Sequence, residues 1–567
     1  MNVVSRSSFY VSSQEKNHQP TQKVFSKTLL PALKTGKETW LLIGFFGLLK
    51  FGIHLTGISN YGLHADELYY ISLSERFAWG FLDISPFVTW MAKIASALFG
   101  TSITAWRIIP CIFAAVTVML TGLMAHYLGA KKLGITIACS AIICSPAFLA
   151  TSYLLQPVVF DEFFWALLAF SILRFQQTQK TVFLYLAACA LGFGMLNKYT
   201  IVMYLTAIVL GWLIIYNRNL KIVGRKLIGP GLLFTLLIVP NLLWQWFYGF
   251  PIFGYLKLVG TQAFSLDVSD YLFQLFFFHG AGVSVWTAGF LFLIMKKNRN
   301  KFNLLWPVTL VILVILLALL KGKLYYGLGM FPILFAAGGC CWEMMFKSRV
   351  LPKYIFVGTI YLFGLLCLPL VIPVFPIYIC RNYIKKMVAY TSFSRPMVWE
   401  DGSSGTIPQF FADMTGWKTL SDKISTVQRN NQHSKPMVLL TDNYAIAGAL
   451  KYYATFSTPQ VISANNSFML ESPVNLPSGT ILYLSKDTKE VVAKLARHVL
   501  LSEELQLENS HLKGVNIYIL SGVNETFRKK YINDRRKFFS PIEGISLATM
   551  SKKINDKNIL RVVANLF

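Results

Sequence analysis

The sequence predicts a polytopic α-helical membrane protein that ends in a small α/β domain. Of its 567 residues, 54% are hydrophobic and only 14% are charged, whereas an average soluble protein carries roughly 25% charge. Long apolar runs recur up to about residue 380, and short strand and helix patterns replace them afterwards. The net charge of +27 lies in short clusters between the apolar runs. We therefore interpret it as a topology signal and expect no nucleic-acid partner.

Spanning helices are predicted first, because each needs about 20 mostly apolar residues. The polar N-terminal segment 1–38 shows no cleavable signal peptide, so the first apolar run is predicted to be an uncleaved anchor. The runs predict about eleven spanning helices, near residues 39–57, 104–128, 133–150, 158–174, 181–196, 199–216, 227–247, 270–295, 303–320, 325–346 and 354–379.

The orientation follows from the connections between these runs. Basic clusters occupy alternate connections, on the same side as the basic N-terminus, and the positive-inside rule places that side in the cytoplasm. The remaining connections are longer and hold most of the acidic residues. An odd number of spans then places the C-terminal region outside, together with two long loops, near 58–102 and 247–269. We expect the function to reside on this outer side.

The first outer loop, 58–102, is too polar to span. Its second half nevertheless has apolar residues at helical spacing after Pro86, and Gly100 follows as a stop signal. This pattern predicts an amphipathic helix lying in the membrane interface.

The C-terminal region is predicted to form an extracytoplasmic α/β domain over 381–524, followed by a basic tail, 525–567. Segments 437–440, 480–484 and 516–520 have strand patterns. Helical patterns at 444–453 and 488–500 follow the first two strands. The preceding 39–380 forms the predicted transmembrane domain.

The most specific local signal is an acidic pair, Asp66-Glu67, just beyond the first span. An acidic side chain left unpaired in lipid costs several kcal/mol (about 2.5 or more), so the pair needs water, a cation or a chemical role. Neighbouring helix positions point about 100° apart. Asp66 should therefore share a face with Tyr70, whereas Glu67 points elsewhere. The alternative is a solvated helix start, where acids are favoured.

A second acidic pair, Asp161-Glu162, begins the fourth apolar run on the same side. Two such pairs could jointly hold a divalent metal ion through oxygen ligands. Capping of a helix by Asp161 explains the spacing equally well. No organic cofactor is expected.

A group of basic and aromatic residues occupies a short outer turn from Lys321 to Tyr326. Lysines there oppose the positive-inside bias and indicate an anionic partner. Lys323, Tyr325 and Tyr326 could hold a phosphate by charge-assisted hydrogen bonds. The alternative is that the lysines extend from a helix end toward water, which is the interpretation we favour for Arg107 and Lys198.

These motifs together resemble a family, the bacterial membrane glycosyltransferases related to protein O-mannosyltransferases and the lipid A aminoarabinose transferase. The resemblance extends in order over roughly residues 40–520. It is carried by Asp66-Glu-Leu-Tyr-Tyr70, Ala78-Trp-Gly80, Asp83-Ile-Ser-Pro86, Pro240-Asn-Leu-Leu-Trp-Gln245, Gly249-Phe-Pro251, Lys323-Leu-Tyr-Tyr326, Pro332, Pro408-Gln409, Ala412-Asp413, Gly416-Trp417 and Thr441-Asp-Asn-Tyr444.

Two segments depart from the family pattern. Relatives often carry two prolines where this chain has Ser85-Pro86, which is a mild change. They often carry a Met-Asp pair where it has Pro157-Val158, which weakens the assignment of the Asp161 region to substrate or metal binding.

The resemblance implies a C-type glycosyltransferase fold with a catalytic cavity at the outer face of a bacterial inner membrane. The donor would be a sugar on a polyprenyl phosphate, and the acceptor an envelope lipid, glycan or protein. Asp66 would act as the general base while the sugar inverts, and Glu67 would support the acceptor or a metal.

The same resemblance assigns the other polar groups. Asp161 and Asp83 would be outer-loop acids at a substrate or metal site. Lys323, Tyr325 and Tyr326 would bind the donor phosphate, whose charge develops as it leaves.

Two other classes of protein fit a polytopic sequence. A lipid or solute transporter should show inverted repeats and helices broken at mid-bilayer, whereas the charged residues here gather at the outer boundary. A non-catalytic scaffold for envelope assembly would not need Asp66.

Overall fold

The computed structural model describes residues 35–216, 224–261, 268–295, 301–347, 349–400, 402–430, 438–453, 460–507 and 509–536. Most of the predicted N-terminal segment 1–38, and residues 537–567 of the predicted tail, lie outside this range.

Every predicted apolar run forms at least one helix. The helices of this part are α1 (Lys37–Leu55), α2 (Ala65–Leu73), α3 (Phe87–Phe99), α4 (Ile103–Tyr127), α5 (Lys132–Ile143), α6 (Pro146–Thr151), α7 (Pro157–Thr178), α8 (Val182–Asn197), α9 (Thr200–Tyr216), α10 (Ile228–Phe247), α11 (Pro251–Thr261), α12 (Val268–Phe277), α13 (Val283–Ile294), α14 (Lys301–Leu319), α15 (Phe331–Phe346) and α16 (Val350–Val371).

The protein is a multi-pass membrane protein, although its helices differ in length and hydropathy. Within the described residues, five helices are long and apolar enough to cross a membrane, or six if one bent pair counts as a single span. The other runs form shorter helices or, like α7, carry charged side chains. The number eleven therefore stays a prediction.

Two of the apolar runs are broken, and their breaks contact each other. The chain bends by 96° between the segments Tyr271–Phe277 and Gly280–Ile294, where Gly280 has a φ of +52°. At the break between α5 and α6, the Ala147 amide and the Ser145 hydroxyl both donate to the Phe278 carbonyl, at 3.0 and 3.2 Å. Backbone groups freed by breaks need such partners where water is absent.

The predicted amphipathic helix of the first outer loop is present as α3. It begins after Pro86 and ends at Gly100, whose φ of +83° belongs to the region that glycine adopts without strain. The loop segment before it packs against α10. The Asn241 amide donates to the Trp79 carbonyl at 2.7 Å, and a methyl group at Gly80 would lie 2.5 Å from the Trp244 ring.

The C-terminal region forms a five-stranded mixed sheet in the order β2-β1-β3-β5-β4. Strands β1, β2 and β3 are parallel, whereas β5 runs antiparallel to β3 and β4. Its elements are α17 (Ile377–Thr391), α18 (Gln409–Ala412), α19 (Trp417–Asn430), β1 (Val438–Thr441), α20 (Tyr444–Tyr453), β2 (Val461–Ile462), β3 (Ile481–Ser485), α21 (Lys489–Val492), β4 (Ala496–Glu504), β5 (Asn516–Val523) and α22 (Glu525–Arg536).

The strands predicted at 437–440, 480–484 and 516–520 are confirmed, as is the helix over 444–453, but the helix predicted over 488–500 is wrong. Only α21 is helical there, and the following residues form β4, whose Leu500 pairs with Ile519 of β5. Pairing with a neighbouring strand overrides the local helical pattern in this segment.

The sheet domain also extends past the predicted boundary at 524. Phe527 and Tyr531 of α22 are buried against the sheet. Buried Arg535 donates to the Met469 and Ser472 carbonyls, each at 3.0 Å. The segment 525–536 is therefore part of the α/β domain.

The α/β domain packs directly on the first outer loop. Helix α20 lies against α2, and the contact is so close that a methyl group at Gly448 would lie 2.9 Å from the Leu68 carbonyl. Two backbone hydrogen bonds join the same surfaces, from Gly62 to the Met414 carbonyl at 3.0 Å and from Ala65 to the Asp413 carbonyl at 2.9 Å. Residues from both ends of the sequence thus surround α2.

Candidate active site

Asp66 lies in the first turn of α2 and is held from several sides. Its amide donates to His64 Nδ1 at 3.1 Å, within a capping box that His64 forms with Glu67. The Tyr444 hydroxyl donates to Asp66 Oδ1 at 2.7 Å, and the Gln156 amide donates to Oδ2 at 3.1 Å. The side chain remains 30% exposed. Asp66 is therefore a positioned carboxylate that can still accept a proton.

Glu67, next to it, belongs to a buried ion pair. It is fully buried and forms an ion pair with Arg107 Nη2 at 2.7 Å, and it also accepts the Leu155 amide at 2.9 Å. Burial alone would raise the pKa of Glu67, but the charge and hydrogen bonds of Arg107 outweigh it and leave this pKa below its ordinary value. In this geometry Glu67 is the buried partner of Arg107, and its support of the acceptor or a metal stays a prediction.

Arg107 corrects an expectation, because it does not extend toward water. Its side chain is 0% exposed. Besides pairing with Glu67, it donates to the Ile58 and Gly62 carbonyls at 3.0 and 2.8 Å. Arg107 and Glu67 together fix the loop that carries Asp66.

The second acidic pair is also occupied by hydrogen bonds. Asp161 accepts the Trp165 indole N–H at 3.0 Å and the Thr200 hydroxyl at 2.6 Å, and Glu162 accepts the Thr151 hydroxyl at 2.7 Å. No group of three or more His, Cys, Asp or Glu side chains suited to a metal ion occurs among the described residues. The two acidic pairs are thus engaged by protein groups in this geometry, and the divalent metal stays a prediction.

Tyr325 and Tyr326, the aromatic pair predicted to bind phosphate, lie beside a lysine from another segment. Lys198 Nζ lies 3.9 Å from the centre of the Tyr326 ring and 5.4 Å from that of Tyr325. Lys323, from the predicted group, forms an ion pair with Glu400. Lys198 opposes the positive-inside bias just as Lys323 does, so the same argument could have identified it.

Further tyrosines surround Asp66. Burial and the nearby charge of Asp66 raise the pKa of Tyr70 and of Tyr255. The charge of Asp66 and burial raise the pKa of Tyr444. These hydroxyls therefore stay protonated at neutral pH, and that of Tyr444 donates to the Asp66 carboxylate.

The arrangement of helices and sheet domain matches a solved enzyme structure. ArnT from Cupriavidus metallidurans, bound to undecaprenyl phosphate, aligns with a TM-score of 0.57 over 86% of this chain and 100% of that chain, at 13% identity. Its apo form aligns with a TM-score of 0.54 over 85% of this chain and 99% of that chain, at 11% identity. The chain has the C-type glycosyltransferase fold.

The sequence comparisons agree with this fold. Residues 83–244 match the family model described as dolichyl-phosphate-mannose-protein mannosyltransferase. The resemblance to membrane glycosyltransferases and the predicted fold class are thereby confirmed. The matched segment includes Asp161 and Lys198 but not Asp66. A search of curated protein sequences finds no significant match.

Within the C-type fold, Asp83 connects the first outer loop to the α/β domain. Its Oδ1 accepts the Tyr69 hydroxyl at 2.7 Å and the Ser467 hydroxyl at 2.5 Å, and the Ser467 amide donates to the Tyr69 oxygen at 2.8 Å. These contacts place Asp83 at the junction between the two parts of the protein, and its role at a substrate or metal site stays a prediction.

We expect Asp83→Asn to remove a pH dependence of stability. Burial raises the pKa of Asp83 to about 6, against the opposing hydrogen bonds of Ser467 and Tyr69. The folded state therefore holds a proton that the unfolded state releases, and the contribution of Asp83 to stability falls as the pH rises from about 4 to 6. At about 1.4 kcal/mol per pKa unit, this loss is at most about 3 kcal/mol.

Thermal unfolding of the wild type and Asp83→Asn between pH 4 and 7 checks this expectation. Asparagine keeps an oxygen acceptor for Tyr69 and Ser467, so the variant should fold. The stability difference between the two proteins should shift in favour of the variant as the pH rises. A difference independent of pH would contradict the assignment.

Proposed function

We propose that the chain transfers a sugar from a polyprenyl-phosphate donor to an envelope lipid, glycan or protein at the outer face of a bacterial inner membrane. The observation that carries this proposal is a positioned, partly exposed Asp66 carboxylate that accepts the Tyr444 hydroxyl. The C-type fold supports it, and the ArnT structure that shares this fold holds undecaprenyl phosphate. In this orientation the N-terminus is cytoplasmic and the α/β domain extracytoplasmic.

Asp66 is the general base of the proposed reaction. Its carboxylate takes the proton of the acceptor hydroxyl while that oxygen forms a bond to the anomeric carbon. The bond between this carbon and the phosphate oxygen breaks on the opposite side, and the phosphate leaves with the electron pair. The configuration of the sugar inverts. Tyr444 and Gln156 keep the carboxylate in one orientation, as such a base requires.

The leaving phosphate is assigned to the basic and aromatic group. Lys198 supplies a positive charge beside Tyr325 and Tyr326, and the tyrosine hydroxyls supply neutral donors. Charge-assisted hydrogen bonds from these groups would stabilise the phosphate as its charge develops. Lys323 would join them once its ion pair with Glu400 opens.

We expect Glu400→Gln to lower the KM for the donor by about two- to fivefold, with little change in kcat. The Lys323–Glu400 pair is partly exposed, at 38% and 63%, and exposed pairs are worth about 1 kcal/mol or less. Glu503→Gln is the matched control, since Glu503 pairs with Lys423 in the α/β domain. An unchanged donor KM in Glu400→Gln would exclude Lys323 from donor binding.

A transfer assay tests the proposed function. Purified protein in lipid nanodiscs is given radiolabelled polyprenyl-phosphate sugars, or the matching nucleotide sugars, with a membrane extract as acceptor. Label should move from the polyprenyl-phosphate donors alone and form a new covalent product, which Asp66→Asn should not form. Transfer from nucleotide sugars, or equal transfer by both proteins, would overturn the proposal.

The transporter alternative gives a different result in vesicles. Donor label would cross the bilayer without a new covalent bond. The bend between α12 and α13 is a broken span of the kind that transporters use. This bend contacts the break between α5 and α6, so the vesicle assay, rather than the helix breaks, separates the two functions.

A further inference from the structure

The α/β domain contains a cavity of about 220 Å³ outside the candidate active site. It lies at the carboxyl ends of the parallel strands β1 and β3. Asp442 and Asn443 come directly after β1, and Ser485 and Lys486 stand at the end of β3. Trp417 and His511 also line the cavity.

The topology of the sheet favours a ligand at this place. The chain leaves β1 toward β2 on one side, and it leaves β3 toward β5 and β4 on the other side. The cavity therefore lies where the winding direction of the sheet reverses. In open α/β sheets this point creates a crevice outside the carboxyl ends of the strands, and ligands bind there.

The lining indicates the chemical class of the ligand. The residues that line it carry a carboxylate, an amide, a hydroxyl, an ammonium group and an imidazole beside apolar side chains such as Ile446 and Leu484. A sugar ring has the complementary surface, with hydroxyl groups at its edge and apolar C–H groups on its faces. The volume is below the roughly 300–1,000 Å³ of drug-sized sites, so it suits one small unit.

The charge balance favours a neutral ligand over an anion. Lys486 is exposed and forms no ion pair with any described residue, so its ammonium group is available to a ligand. The Asp442 carboxylate stands in the same lining, where it accepts from Lys530 at 2.9 Å and from the Tyr483 hydroxyl at 2.5 Å. A phosphate would meet this carboxylate, whereas sugar hydroxyls can bond to both groups.

Two short routes connect the cavity to the candidate active site. Asn443 is followed by Tyr444, whose hydroxyl donates to Asp66. His511 Nδ1 lies 3.6 Å from Asp413 Oδ1, and Asp413 Oδ2 lies 3.7 Å from His64 Nε2. A ligand in the cavity would thus be close to the residues that position Asp66.

We propose that this cavity binds a neutral sugar unit of the acceptor and so helps to direct the acceptor toward Asp66. This assignment of the acceptor rests on the proposed function. The chemistry excludes an acceptor without sugar units as a ligand for the cavity.

Binding of simple sugars tests the proposal without requiring catalysis. The full-length protein in nanodiscs is mixed with methyl glycosides of glucose, mannose and galactose, and saturation transfer from protein to sugar is measured by NMR. At least one glycoside should bind the wild type. Lys486→Ala should weaken that binding about tenfold, because one hydrogen bond from a charged donor is lost. Lys489→Ala, an exposed lysine outside the cavity, should leave it unchanged.

Two further variants locate the binding. Ser485→Leu fills the cavity from its wall and should abolish sugar binding, with thermal unfolding confirming that the variant is folded. Asp66→Asn should bind the glycosides as the wild type does. Sugar binding that is lost in Asp66→Asn but kept in Lys486→Ala would overturn the proposal, as would binding of inorganic phosphate alone.

The binding assay tests the cavity and the transfer assay tests the proposed function, so a negative result in one does not decide the other. Normal transfer by a protein that binds none of the glycosides would overturn the cavity assignment and leave the proposed function intact. Sugar binding by a protein that transfers nothing from any donor would overturn the proposed function and leave a sugar site in the α/β domain.

Discussion

Replacing Asp66 by asparagine should lower the rate of sugar transfer by about 10²–10⁴-fold, the range that a positioned general base contributes. The amide has the size of the carboxylate, and its oxygen can still accept from Tyr444, so the site should keep its shape. What it loses is the ability to take the proton of the acceptor hydroxyl. Single-turnover rates with bound donor, measured beside thermal unfolding, separate these two effects.

The control for this experiment is Asp422→Asn, which removes an exposed carboxylate from α19 of the α/β domain. It should transfer sugar at the wild-type rate. A loss of less than tenfold in Asp66→Asn would remove Asp66 from the role of base. A loss accompanied by an equal drop in stability would show that the carboxylate is structural.

Glu67→Ala should be the most destabilising of these substitutions, by about 3–5 kcal/mol, because it leaves the Arg107 guanidinium buried without its ion-pair partner. The same change removes the acceptor of the His64 and Leu155 amides. We expect little folded protein in detergent, measured by size-exclusion chromatography and thermal unfolding.

Glu75→Ala provides the comparison, since Glu75 is an exposed acid of the same outer loop. It should be as stable as the wild type. Glu67→Gln keeps the oxygen acceptor but not the charge. Its stability should lie between that of Glu67→Ala and that of Glu75→Ala. A stable Glu67→Ala protein that has lost only transfer activity would instead place Glu67 at the substrate.

The helices were predictable because their signals are local. The apolar runs, and the Pro86 and Gly100 boundaries of α3, depend on neighbouring residues alone. Segment 488–500 shows the limit of this reasoning. Its apolar residues fit a helix, yet the last part of the segment, from Ala496 to Leu500, pairs with β5 as a strand. No local pattern reports that a partner strand will be available.

The site was predictable to the same extent. The position of Asp66 after the first span and its resemblance to a family motif made it the candidate base, a role that stays a proposal. The ion pair of its neighbour Glu67 was not predictable because the partner, Arg107, lies 40 positions later. Tyr444 was recognised only as part of a motif. Its hydrogen bond to Asp66 spans 378 positions and depends on how the α/β domain docks.

The docking of α20 on α2 has a consequence for biosynthesis. Asp66 enters the membrane region with the first part of the chain to be translated, whereas Tyr444 and the Asp413 carbonyl that accepts the Ala65 amide come from near its end. A nascent chain that has inserted its helices still lacks these groups. The arrangement around Asp66 is therefore complete only once the α/β domain has been synthesised and has docked on α2.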